Sequence, residues 1–166
     1  MFILERTSVY DNLFPITAPV SGRVITNTGH SSAIASNQLF GVGPVIEVSG
    51  NHAVAPMAGV VTAISSSGDF IQIEHSSKAV ITLILGQGRQ FTHHPALSRC
   101  IRLGQAVVAG DRLLTINQTL LRAEPRQQRH LMVLLQADPD LGGWQWPEQG
   151  AVSSGESRLF QHKEEN

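Results

Sequence analysis

A seven-residue phrase occurs twice, as Ala18-Pro19-Val20-Ser21-Gly22-Arg23-Val24 and again 37 residues later as Ala55-Pro56-Met57-Ala58-Gly59-Val60-Val61. In each copy proline pre-sets one backbone angle, glycine permits a sharp bend and β-branched residues follow, which is the pattern of a turn feeding a strand. Two copies predict two similar half-sheets. A related stretch, Gly104 to Leu114, runs from a glycine turn through a short apolar segment to a Gly110-Asp111 turn and a further strand, an arrangement that folds a sheet corner back on itself. Such punctuation argues against long helices. Strands are expected over 16–26, 44–48, 53–64, 69–75, 79–85, 99–102, 106–108 and 112–117.

Charge narrows the function. Twelve basic residues stand against 13 acidic ones, a net charge of −1, and no basic run offers a track for nucleic acid. The chain has no apolar stretch near the ~18 residues a membrane span needs and no charged segment leading into an apolar run, so neither a span nor a secretory signal is expected, and a cytoplasmic location follows. The single cysteine, Cys100, excludes an internal disulfide, and its neighbour Ile101 in a strand-like setting predicts a buried, structural thiol.

The repeated phrases, then Gly41-Val42-Gly43, Gly50-Asn51-His52-Ala53-Val54-Ala55-Pro56, and Leu103-Gly104 through Gly110-Asp111, in this order and spacing, resemble the glucose-type IIA domains of the bacterial sugar phosphotransferase system. The register runs without a gap from Ala18 to Asn117. The resemblance implies an all-β barrel-sandwich hybrid, a β-sandwich with internal duplication and one or two short helical turns, with a short helix at 118–123 and a closing strand at 129–136. The domain is placed at 16–136, after a leader at 1–15. Residues 137–166 gather Asp138-Pro139-Asp140, Gly142-Gly143, Pro147, Gly150 and Ser153-Ser154-Gly155, a composition that predicts a flexible tail. Trp144 and Trp146 are the exception, with rings large enough to anchor the tail on the domain or on a partner.

Family members relay a phosphoryl group with the help of two histidines, one accepting it and one beside it supporting the exchange. In the gapless register those positions hold Ile84 and Asp69. Isoleucine has no atom that can carry a phosphoryl group, and a carboxylate would repel its charge. The resemblance also implies an apolar partner face, here mapped onto Ile34, Ala35, Leu39, Ser65, Ser67, Asp69, Thr82, Ile84 and Gly88. Ala35, Ser65 and Thr82 stand where the family carries aromatic residues, and Gly88 where it carries an acid.

Other imidazoles are the alternative acceptors. His75 shares a strand face with Asp69 but lies roughly 20 Å along at about 3.3 Å per residue. His93 and His94 precede Pro95 in a loop, where an adjacent pair reads as a solvated feature; His30, His52, His130 and His162 fall in turns, a late strand and the tail. A zinc hydrolase would need clustered histidines and carboxylates with an open coordination position, and no His-x-His occurs. A lipoyl- or biotinyl-type carrier would need its lysine at a hairpin tip; only Lys78 and Lys163 exist, in surroundings unlike that motif. The expectation is therefore a IIA-like module that is not phosphorylated and binds a protein partner, either a phosphotransferase component or a regulated enzyme, without metal or cofactor. An active phosphocarrier using His75, His93 or His94 is the alternative.

Overall fold

Thr17 N–H donates to the Pro56 carbonyl at 3.0 Å, and Val54 N–H donates to the Pro19 carbonyl at 2.8 Å. Each bond is the other displaced by the 37-residue repeat, so the two copies of the phrase grip one another reciprocally. The next two donors keep the 37-residue offset, Ala18 donating to Ser157 O and Ala55 to Asp111 O, both at 2.8 Å. The duplication read from the sequence is thus a local two-fold relation in the backbone.

A computed structural model describes residues 16–26, 40–86, 94–137 and 144–162. Its elements are β1 (Ile16–Thr17), β2 (Gly22–Ile25), β3 (Val45–Val48), β4 (His52–Val54), β5 (Gly59–Ile64), β6 (Phe70–Glu74), β7 (Val80–Leu85), β8 (Leu97–Arg99), β9 (Ala106–Val107) and β10 (Arg112–Ile116). There follow α1 (Gln118–Arg122), a 3-10 turn (Arg126–Arg129), β11 (His130–Gln136), β12 (Trp144–Gln145), β13 (Gly150–Val152) and β14 (Arg158–His162). An eight-stranded sheet runs β13-β2-β3-β11-β7-β6-β5-β9, beside three-stranded sheets β4-β10-β8 and β1-β14-β12. The pairings are antiparallel, as the all-β expectation requires.

The proline phrases divide two expected strands. The segment 16–26 becomes β1 and β2, and 53–64 becomes β4 and β5, because Pro19 and Pro56 offer no N–H to a ladder. The glycine that follows each proline is needed for close approach. A Cβ at Gly59 would lie 2.5 Å from the Glu74 carbonyl oxygen, and one at Gly22 would strike that of Glu47. The main core, with Ile16, Ile46, Met57, Ile71, Ile81 and Leu113 fully buried, fills the space between the sheets. A smaller cluster of Val45, Met132 and Leu134 lies on the other side of the large sheet, because these residues alternate with core-facing Ile46, Leu131 and Val133.

Two expectations are corrected. Residues 144–162 are not a loose tail; they form β12, β13 and β14. β13 pairs with β2 as β9 pairs with β5, Gly22 facing Val152 and Gly59 facing Val107, so this segment is the duplicate of the stretch after Gly104. Ile16 faces Phe160 in β1 and β14, and Leu159 and Phe160 are buried. Trp146 packs edge-on against Phe160 with ring centroids 5.7 Å apart, which anchors it on the domain. A few apolar residues suffice here because the duplicated backbone already provides their partners. Cys100 is exposed rather than buried: β8 ends at Arg99, Ile101 takes the inward position, and Cys100 Sγ stands 3.7 Å from Thr115 Oγ1. The leader at 1–15 lies outside the described residues. Among those described, no helix is long and apolar enough to cross a membrane.

Candidate functional site

Successive pairings across five strands set Ile25 opposite Val45, Val45 opposite Met132, Met132 opposite Ile84 and Ile84 opposite Phe70. Directly opposed residues share a sheet face. The five side chains therefore form one apolar line on the face turned away from the main core. Val45 and Met132 are buried in it, while Ile25, Ile84 and Phe70 keep part of their surface open. Phe40 packs against this cluster and meets Phe70 edge-on, with ring centroids 5.4 Å apart.

The register positions 69 and 84 come together as the strand order demands. Asp69 immediately precedes Phe70, and its carbonyl accepts the Leu85 N–H at 2.8 Å. The Asp69 carboxylate accepts a short hydrogen bond of 2.5 Å from Ser65 Oγ. That hydroxyl oxygen in turn accepts the N–H groups of Gly68 at 3.2 Å and Phe70 at 3.1 Å. Ser65 and Asp69 thus brace the turn between β5 and β6 beside Ile84. Thr82 lies on the same face but is fully buried, its hydroxyl accepting from Gln72 Nε2 at 3.1 Å. Ser67 is drawn off to another neighbour and accepts the His94 N–H at 2.7 Å. Ile34, Ala35, Leu39, Gly88 and His93 lie outside the described residues.

His75 lies away from Asp69 and Ile84, whereas His94 meets the Ser65–Asp69 turn through its N–H bond to Ser67. His75 follows the far end of β6, where its Nδ1 accepts the Ser77 N–H at 3.0 Å. His94 is 1% exposed instead of solvated, with Nδ1 accepting the Ala96 N–H at 3.2 Å. Lys78 occupies the β6–β7 hairpin turn with φ 76°, its ammonium 3.7 Å from Glu74. Among the described residues, no group of three or more His, Cys, Asp and Glu could hold a metal ion.

Sequence reasoning passed over two features. Phe40 and Phe70 supply aromatic surface on the face where Ala35, Ser65 and Thr82 implied its loss; the place of Phe70, next to position 69 and opposite 84 in a hairpin, was the available signal. The second feature is the line bordering Ile84, in which Arg23 faces Glu47 and Glu47 faces His130. Arg126 Nε donates to Glu47 Oε2 at 3.1 Å, and His130 Nε2 lies 3.7 Å from the same oxygen. Burial pushes the Glu47 carboxyl up, but the Arg126 hydrogen bond and charge, with His130 and Arg129 behind them, outweigh it and hold its pKa below the ordinary value. His130 is 9% exposed, and burial pulls its pKa down against the opposing pull of Glu47. Alternation with Met132 and Leu134 puts His130 on the Ile84 face, a placement that its position in the sequence alone did not announce.

A duplicated antiparallel sandwich with a partly open apolar face at the β6–β7–β11 junction defines the class. The sequence family described as the phosphoenolpyruvate-dependent sugar phosphotransferase system, EIIA 1, matches residues 14–139, most of the chain. The chain belongs to that family. Among solved structures, the glucose permease IIA from Mycoplasma capricolum superposes with a TM-score of 0.74 at 19% identity, covering 87% of this chain and 93% of that one. At that identity the likeness speaks for the fold. Among curated proteins no relative matches.

Proposed function

We propose that this IIA-type domain does not carry a phosphoryl group and instead binds a protein partner, a phosphotransferase component or a regulated enzyme, through the face around Ile84. One observation carries the reading. The two adjoining positions that the family register assigns to the relay hold an isoleucine and an aspartate already tied to Ser65. A phosphohistidine relay needs an accessible neutral imidazole, which neither side chain supplies. The burial of His94 and the remote seat of His75 weigh against their service as substitutes. The partly open apolar surface of Ile25, Phe40, Phe70 and Ile84, with two aromatic rings, has the makeup of a protein-docking patch.

The test is incubation of the purified chain with labelled phosphoenolpyruvate and the general phosphotransferase proteins, following acid-labile phosphate. The expected result is no incorporation alongside a glucose-type IIA control that labels. Incorporation on the unaltered chain would overturn the proposal, and mapping the label to His75, His93 or His94 would establish the phosphocarrier alternative.

A further inference from the structure

Charge is distributed unevenly along the large sheet. At the Ile84 end, Arg23 faces Glu47 across β2 and β3, Arg126 hydrogen-bonds Glu47, and Arg129 lies near enough to act on both Glu47 and His130. Arg23 and Arg126 therefore flank one carboxylate, with Arg129 behind them and its guanidinium hydrogen-bonded to the Glu124 carbonyl at 3.4 Å, in a chain whose net charge is −1. The Arg126 side chain is 71% exposed, and its bond to Glu47 runs through Nε, which leaves the guanidinium fork open towards solvent. At the opposite end of the sheet the local charges balance, since Lys78 pairs with Glu74 at 3.7 Å. The face is thus an apolar strip with a basic rim at one end only.

From this asymmetry we infer that the partner is a protein segment that lays apolar side chains over Ile25, Phe70 and Ile84 and sets acidic side chains against Arg23, Arg126 and Arg129. The inference rests on the docking reading above and adds the chemistry of what docks. Arginine stays charged at all relevant pH values and matches a carboxylate through two parallel donors. A basic segment on the same strip would meet three arginines answered by Glu47 and, in the turn beside Ile84, by Asp69, so the rim selects by repulsion as well as by attraction.

The experiment uses the full chain and two synthetic peptides that share a Leu-Phe-Leu centre, one flanked by four glutamates and the other by four lysines. Methyl resonances of Ile25, Ile84 and Met132 report docking on the strip. The glutamate peptide is expected to shift them and to bind at least about threefold tighter than the lysine peptide at low salt, the sum of a few exposed pairs. That gap should narrow as salt rises, because exposed pairs are screened over roughly 10 Å at 0.1 M. Arg23→Gln combined with Arg126→Gln changes two exposed side chains and should remove the preference while the apolar contacts persist. Equal shifts from both peptides would overturn the charge assignment and leave the docking face standing. Absence of shifts with either peptide would overturn the docking reading as well. Shifts of the same methyls that grow with protein concentration in the absence of peptide would assign the strip to a second copy of this chain and refute the acidic partner.

Discussion

Phe160→Ala tests whether the C-terminal segment belongs to the domain. The ring is 1% exposed, sits in β14 opposite Ile16 of β1 and receives the edge of Trp146. A buried phenylalanine removes about 150–250 Å² from water, which at about 25 cal/mol per Å² sets an upper figure of ~4–6 kcal/mol. Truncation of buried phenylalanines to alanine costs about 3–5 kcal/mol, so ~4 kcal/mol is expected here. In a domain of this length that corresponds to a fall in Tm of about 8–16 °C. Urea unfolding read by tryptophan fluorescence and by circular dichroism gives the free energy, and Gln161→Ala, which alters an exposed neighbour, should leave it within about 0.5 kcal/mol. A loss under about 1 kcal/mol for Phe160→Ala, with β14 amides exchanging as fast as free peptide, would refute the assignment of residues 158–162 to the core.

Gly59→Val should destabilise by about 2 kcal/mol or more in thermal melts, since its Cβ would press on the Glu74 carbonyl and on Ile73. Ser65→Ala removes the hydroxyl acceptor of the Phe70 N–H and the donor to Asp69, while the Gly68 N–H keeps the Ser65 carbonyl at 3.1 Å, for an expected loss of about 1–3 kcal/mol, measured by denaturant unfolding. His130 is held below its ordinary pKa of 6.5 by burial, so as pH falls the unfolded chain takes up that proton first. Its contribution to stability is therefore complete above about pH 6.5 and is lost as pH falls through the lower folded value. His130→Gln should flatten the difference in melting temperature between pH 7 and pH 5.5, and an unchanged slope would contradict that burial argument. Asp69→His together with Ile84→His should create acid-labile labelling in the phosphotransfer assay if the two substitutions alone account for an inert site.

The repeat of Ala18 to Val24 at Ala55 to Val61 was sufficient to foresee the paired half-sheets, because a turn phrase carries its geometry within a few residues. The strand that pairs Ile84 with Phe70 was likewise readable, since β6 and β7 are hairpin neighbours. What escaped was long-range. Val152, Leu159 and Phe160 look sparse among glycines and serines, and only the cross-bond from Ala18 to Ser157 reveals that their partners lie at the other end of the chain. Cys100 was misplaced because β8 lies at 97–99 instead of 99–102, which changes the side of the sheet its side chain meets. Arg126 and His130 meet Glu47 across about 80 residues of sequence, a meeting that no local pattern encodes.

Pairing β14 with β1, and β13 with β2, has a consequence for the order in which the domain can assemble. A nascent chain that has emerged only as far as Gln136 already contains β1 and β2 but not the strands that complete their edges. Until Phe160 is available, the first half-sheet presents open backbone donors and acceptors, a state that invites pairing with other chains. Closure of such distant segments is slow compared with hairpin formation, so β13 and β14, synthesised well after β1 and β2, set the moment at which those earlier strands become protected.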